Sequence, residues 1–226
     1  MQFEYRKFTV ATALLPTLLL FAACLPVPIG DPERSRVDPD LSGMWVRLGE
    51  GPAVVLVQPY DKRSWLVIGA GLEVGPDNDR EYAESDEETY DELVELIQDA
   101  GVGPSGIIAN RVEVFKAWRT RLGKRWFLTW EYKGVYDEDD GFTPEWWAVF
   151  RIDRQGKDEF SLRLIDGDFD GFVNVAETRR AYERVIKKYA DNEQLYNDSS
   201  TVYVRVRPEH VGLFNEILAN VISDPA

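Results

Sequence analysis

Apolar and polar positions alternate in short runs over much of the chain. "LSGMWVRL" (41–48), "AVVLVQPY" (53–60) and "SWLVIGAGL" (64–72) are strand-length stretches rich in Val, Ile, Leu and Trp, with Gly51-Pro52 and Asp61-Lys62 in the gaps. Short runs of such residues suit strands, and gaps of turn residues join neighbours, so these stretches predict an antiparallel meander. The same pattern returns in "IIANRVEVFKAW" (107–118), "RWFLTWEYKGVY" (125–136), "EWWAVFRI" (145–152) and "EFSLRLI" (159–165). In the last of these, Phe160, Leu162 and Leu164 alternate with Ser161 and Arg163. "TVYVRVRP" (201–208) is a further alternating strand.

Three stretches change to a helical period. Tyr90, Leu93, Val94 and Ile97 follow an acidic run in which Ser85 and Glu88 stand in a capping-box relation. Gly101 just beyond suits a left-handed cap, so a helix is predicted over Asp86–Ala100. "NVAETRRAYERVIKKYA" (174–190) places Val175, Tyr182, Val185, Ile186 and Tyr189 on one side, and "EHVGLFNEILANV" (209–221) forms a closing amphipathic helix. Together the elements predict an α+β fold. It is mainly an antiparallel β-meander, open or closed as a lipocalin-like barrel, with an inserted acidic helix and two C-terminal helices in one domain, 41–226.

The first 40 residues follow neither period. Arg6 and Lys7 precede an apolar run from Phe8 to Ala23 that is short for a bilayer span, which predicts a signal peptide over 1–23. Phe21-Ala22-Ala23 stands directly before Cys24, the chain's one cysteine, which cannot form an internal disulfide. These residues resemble the lipobox of bacterial lipoproteins, with Phe21 at the position usually held by an aliphatic residue. The resemblance implies lipidation of Cys24 and partnership with the membrane through a lipid anchor. It also implies a place in the bacterial cell envelope; Leu25 rather than Asp after the cysteine favours the outer membrane, facing the periplasm. Residues 25–40 carry Pro26, Pro28, Pro32 and Pro39 with no apolar period, and are expected to form a semi-extended tether of about 3 Å per residue.

Composition narrows the partners. The net charge is −14, and removing the signal with Glu4, Arg6 and Lys7 makes it one unit more negative. Such a surface repels phosphate backbones, so nucleic acid is not an expected partner. Seven Trp and ten Tyr suit a β-rich core or an aromatic-lined groove. The "LSGMW" opening resembles the Gly-x-Trp start of lipocalin-like barrels. In outline most of the mature chain resembles a loose set of bacterial lipoproteins that have no agreed function. They share a lipobox, a Pro-rich segment, an "LSGxW" strand, aromatic strands and a final strand–helix pair.

One loop carries definite chemistry. Counting from Asp166, carboxylates fall at positions 1, 3 and 5 (Asp166, Asp168, Asp170), Gly171 at 6, Asn174 at 9 and Glu177 at 12. With the Phe172 carbonyl at position 7, this spacing matches a complete EF-hand-type calcium loop, in which short acids curl round a hard cation and the last Glu closes the shell. "EFSLRLI" before it alternates like a strand, so the expected site is strand–loop–helix and structural. Ion at ten times its dissociation constant would stabilise the fold by about 1.4 kcal/mol. The alternative is an Asp/Gly-rich turn whose acids cap the following helix without metal.

No catalytic motif emerges. "GVGPSG" spaces Gly101, Gly103 and Gly106 like a dinucleotide fingerprint but follows a helix and leads into a strand, the reverse of the required order. His210, the only histidine, cannot build a metal site by itself. Glu138, Asp139, Asp140 and Glu145 beside Trp146 and Trp147 leave a carboxylate hydrolase as a minor alternative. The sequence thus points to a non-enzymatic, lipid-anchored envelope protein with a structural or interaction role, one possible calcium ion and an unspecified protein or small-ligand partner. The alternative is a lipocalin-like small-ligand binder.

Overall fold

The computed structural model describes residues 25–49, 51–74, 89–135 and 146–223. Eight strands run β1 (Gly43–Leu48), β2 (Ala53–Pro59), β3 (Trp65–Val74), β4 (Ile107–Leu122), β5 (Arg125–Val135), β6 (Trp147–Arg154), β7 (Glu159–Ile165) and β8 (Tyr196–Arg205). Each pairs antiparallel with its neighbour in sequence. β8 pairs with β1 as well, through Trp45↔Arg205 and Arg47↔Tyr203, so the meander closes into a barrel and leaves no free sheet edge. Register shifts at Ala70/Gly71, Val114/Phe115 and Arg163/Ile165 supply local bends for that closure.

Alternation decides which side chains go inside. Trp45, Val55, Val57, Trp65, Val67, Phe115, Ala117, Leu128, Tyr132, Phe160, Leu162 and Tyr203 form one buried cluster. Registers such as Trp45↔Val55, Val57↔Val67 and Val67↔Phe115 place them on a common face. Rings interlock within it: Trp45 meets Phe160 edge-on at 4.6 Å, and Phe160 stacks on Tyr203 at 4.9 Å.

The opposite face of the strands is also apolar in two places, and each is covered. Over β1–β3, Val46, Val54 and Leu72 pack against α1 (Tyr90–Ala100) and α3 (Val211–Ser223), with Leu93, Ile97, Phe214 and Ile217 buried between. Over β4–β6, Leu122, Phe127 and Val149 are covered by α2 (Arg179–Tyr189), chiefly Tyr182 and Ile186, and by the segment preceding β1.

That preceding segment is not the free tether expected from its prolines. Leu25 and Ile29 are 2% and 0% exposed, and each such burial contributes about 1.5–3 kcal/mol. The Ile29 carbonyl accepts from Trp118 Nε1 at 2.8 Å and from Thr129 Oγ1 at 2.7 Å, which satisfies an oxygen that would otherwise be buried without a partner. Gly30, at φ +78°, lies so close to Thr120 that a Cβ would sit 1.6 Å from its Oγ1. Pro32 and Pro39 begin short 3₁₀ turns, Pro32–Arg34 and Pro39–Leu41. Asp31 and Asp38 cap these turns by accepting the backbone N–H groups of Glu33 and Asp40. Composition suggested a linker; two well-placed aliphatic side chains and a close-fitting glycine make it a strap.

Several boundaries shift, three of them for a visible reason. α1 begins at Tyr90, because Thr89 and Glu92 form the reciprocal capping box: Glu92 N–H donates to Thr89 Oγ1 and Thr89 N–H to Glu92 Oε2. Ser85 and Glu88 lie outside the described residues. α2 begins at Arg179 rather than near Asn174, since Asn174 holds φ 60° and Thr178 supplies the cap. β8 begins five residues earlier than the alternating "TVYVRV" run, at Tyr196, which pairs with Ile165.

Candidate functional site

The Asp-rich loop leaves β7 at Ile165 and reaches α2 through a 3₁₀ turn, Asp170–Phe172. Local bonds fold it tightly. Asp168 N–H donates to Asp166 Oδ1 at 3.0 Å, Val173 N–H to the Asp170 carbonyl, and Val175 N–H to the Phe172 carbonyl at 3.1 Å. Gly171 is required here for packing: a Cβ would meet the Phe169 ring at 2.3 Å. Phe169 and Phe172 are buried against Tyr189 and Tyr182. Glu177 stands ahead of the Thr178 cap and outside the helix that was expected to carry it. Among the described residues no group of three or more His, Cys, Asp or Glu side chains is placed to hold a metal ion. Asp166, Asp168, Asp170 and Glu177 are thus not drawn together three at a time in this conformation, and the Phe172 carbonyl accepts the Val175 N–H.

Other residues singled out by the sequence fall in different places. Cys24 and the group Glu138, Asp139, Asp140 and Glu145 lie outside the described residues. Trp146 stacks on Tyr132 at 5.0 Å and meets Phe115 edge-on, so its ring belongs to the barrel's aromatic cluster. "GVGPSG" is a cap and a turn: Gly101 N–H donates to the Ile97 carbonyl, and Gly106 N–H to the Gly103 carbonyl. His210 Nδ1 lies 2.9 Å from the Tyr90 hydroxyl, which also accepts Arg207 N–H at 3.1 Å. These contacts join α1 to the start of α3. Burial pushes the Tyr90 pKa up.

Leu41, Val57, Trp65, Leu128, Trp130 and Phe160 surround a void of about 20 Å³, room for one water molecule. Leu41 enters one end of the barrel, and its carbonyl accepts from Trp45 Nε1 at 2.9 Å. Over it, Asp38 binds Arg119 at 2.5 Å and Arg154 at 2.9 Å, while the Arg205 guanidinium lies 4.1 Å from the Trp45 ring centroid. This is a plug with an ionic lid.

A larger concavity lies where strap, β4–β5 hairpin and α2 meet. It has a volume of about 540 Å³ and is bordered by Arg34 and Arg36 of the strap, Arg119, Arg121 and Trp126 of the hairpin, and Arg179 and Arg180 of α2. Asp31 and Glu183 are its two acidic groups. Arg119 and Arg121 are two apart on one strand and so share a face; their guanidinium carbons lie 4.5 Å and 5.8 Å from the Trp126 ring centroid. Glu183 Oε1 accepts Gly30 N–H at 3.0 Å, and Arg179 Nη1 donates to the Gly30 carbonyl at 3.2 Å, fastening strap to helix across the groove floor. Sequence reading missed this site because its arginines come from three distant segments. The available signal was a repeated doublet: Arg34-x-Arg36, Arg119-x-Arg121 and Arg179-Arg180.

Compared with known proteins, the chain matches no family model, no curated protein and no solved structure.

Proposed function

We propose that this chain is a lipid-anchored cell-envelope protein that works by binding rather than by catalysis, with its barrel seated close against the membrane. The supporting observation is the burial of Leu25, the residue next to Cys24. An acyl group on Cys24 would be joined to the folded body without intervening slack, turning the strap face toward the bilayer. Cys24→Ser is expected to move the protein out of the membrane fraction or to leave an unprocessed precursor. Unaltered processing and fractionation would contradict the anchor.

The closed antiparallel barrel also supports the lipocalin-like reading, in which a small apolar ligand enters between the strands. At the end plugged by Leu41, where the space is about 20 Å³, such a ligand would enter only by displacing those side chains. Saturable quenching of tryptophan fluorescence by an apolar probe would favour this second reading; no quenching favours the first.

A further inference from the structure

The chain holds 40 Asp and Glu against 26 Lys and Arg, so a cation on this surface should readily find a carboxylate. The groove between strap, β4–β5 hairpin and α2 departs from that expectation. Six arginines border it, Arg34, Arg36, Arg119, Arg121, Arg179 and Arg180, against two acidic residues, Asp31 and Glu183. Both carboxylates already accept a backbone N–H, from Glu33 and from Gly30. They are also shared with Arg34 and Arg179 at 3.6–3.9 Å. Arg119 is held by Asp38. Among the described residues no carboxylate pairs with Arg36, Arg121 or Arg180.

Helix polarity sharpens the anomaly. Arg179 and Arg180 are the first two residues of α2, at the end where the aligned peptide dipoles are positive and where a cation is disfavoured. Folding therefore lines one groove with six arginines, three of them without a carboxylate partner among the described residues, next to a helix terminus of the same sign. An anion bound between them removes that repulsion. Guanidinium groups suit phosphate in particular, because two parallel N–H donors match two phosphoryl oxygens. The rings and backbone around the groove hold the forks in place: Trp126 lies beneath Arg119 and Arg121, and the strap that carries Arg34 and Arg36 is fixed by the buried Ile29. At about 540 Å³ the space exceeds a bare phosphate and falls in the range of small-ligand sites.

We infer that this groove is a binding site for a phosphoryl group carried on a larger molecule, either a membrane headgroup or a small phosphorylated compound. The site stands independently of lipidation at Cys24.

The full chain in nonionic detergent provides the test. Inorganic phosphate is titrated by calorimetry against chloride at matched ionic strength, and separately the micelles are doped with phosphatidate or with phosphatidylcholine. Saturable binding of phosphate is expected, with Arg36→Gln, Arg121→Gln and Arg180→Gln combined weakening it at least tenfold. The thermal midpoint of that variant without anion should equal or exceed the parent's, since repulsion is relieved. Should the triple variant melt early, Arg180→Gln alone, on an exposed helix end, is expected to weaken binding by several-fold. Binding to phosphatidate micelles that phosphate does not displace assigns a lipid headgroup; binding of phosphate without any phosphatidate preference assigns a small ligand. No saturable response to either probe, or equal affinity in the parent and the arginine variants, overturns the proposal.

Discussion

The two layers outside the barrel solve one problem by different means. Over β1–β3, α1 and α3 cover Val46, Val54 and Leu72 with regular helices whose interior backbone groups are satisfied within the helix. Over β4–β6, half the cover is an extended strap. Its carbonyls must find partners outside the segment, as Ile29 does in Trp118 and Thr129, and it cannot fill the space beside α2. Polar attachments and a groove follow from that difference. The helical layer seals; the strapped layer both seals and presents arginines.

If the strap is a structural layer, its key side chain should matter as much as one in the helical layer. Ile29→Ala and Ile97→Ala, both at positions with no exposure, are each expected to cost about 2–5 kcal/mol, read from denaturant unfolding. A loss below about 0.5 kcal/mol for Ile29→Ala alone would return the segment to a tether. Next in size is the ionic lid. Asp38→Ala frees Arg119 and Arg154 together, and a loss of about 1–2 kcal/mol is expected. Tyr90→Phe, in the opposite layer, should cost about 1 kcal/mol by removing the hydroxyl between Arg207 N–H and His210.

Alkaline pH tests both layers and the core at once. Burial raises the pKa of Tyr90, of Tyr182 and Tyr196 on the strap side, and of Tyr203 inside the barrel. A group whose folded pKa is raised keeps its full contribution below its unfolded pKa, near 10 for tyrosine, and loses it as pH rises further. Thermal midpoints should therefore fall above about pH 10, and Tyr203→Phe should flatten the decline. The smallest effect is expected from calcium. The Asp166–Glu177 loop is held by its own backbone bonds and by Phe169 and Phe172, so millimolar calcium should leave the melting curve unchanged. A rise of several degrees, abolished by Asp166→Ala, would mean that the loop rebuilds around an ion.

How much of this was legible in sequence varies with how local the cause is. Alternation in "EFSLRLI" and the short apolar run of "AVVLVQPY" between turn residues marked strands, and the 3–4 spacing of Tyr90, Leu93, Val94 and Ile97 marked α1, because these patterns are properties of the segment itself. Tyr196 to Ser200 could not be read as strand: "YNDSS" is polar, and only pairing with Ile165 and Arg163 of β7 makes it one. Closure was open for a similar reason, since it depends on β1 meeting β8 across the whole chain. The strap was hidden by proline content, although Leu25 and Ile29 stand four apart. At the Asp-rich loop the spacing was legible but the packing was not: Gly171 makes room for Phe169, and Asp166 accepts the N–H of Asp168. The arginine groove exists only once three remote doublets are brought together.

The central claim is that residues 25–41 form part of the folded body, and hydrogen exchange on the full chain reads it directly. Gly30 N–H donates to Glu183, Val37 N–H to the Lys62 carbonyl and Ser35 N–H to the Asp31 carbonyl. These amides are predicted to exchange orders of magnitude more slowly than an unstructured peptide, with Gly30 approaching the protection of β4. Exchange of all three at the free-peptide rate would contradict the strap and, with it, the groove it completes.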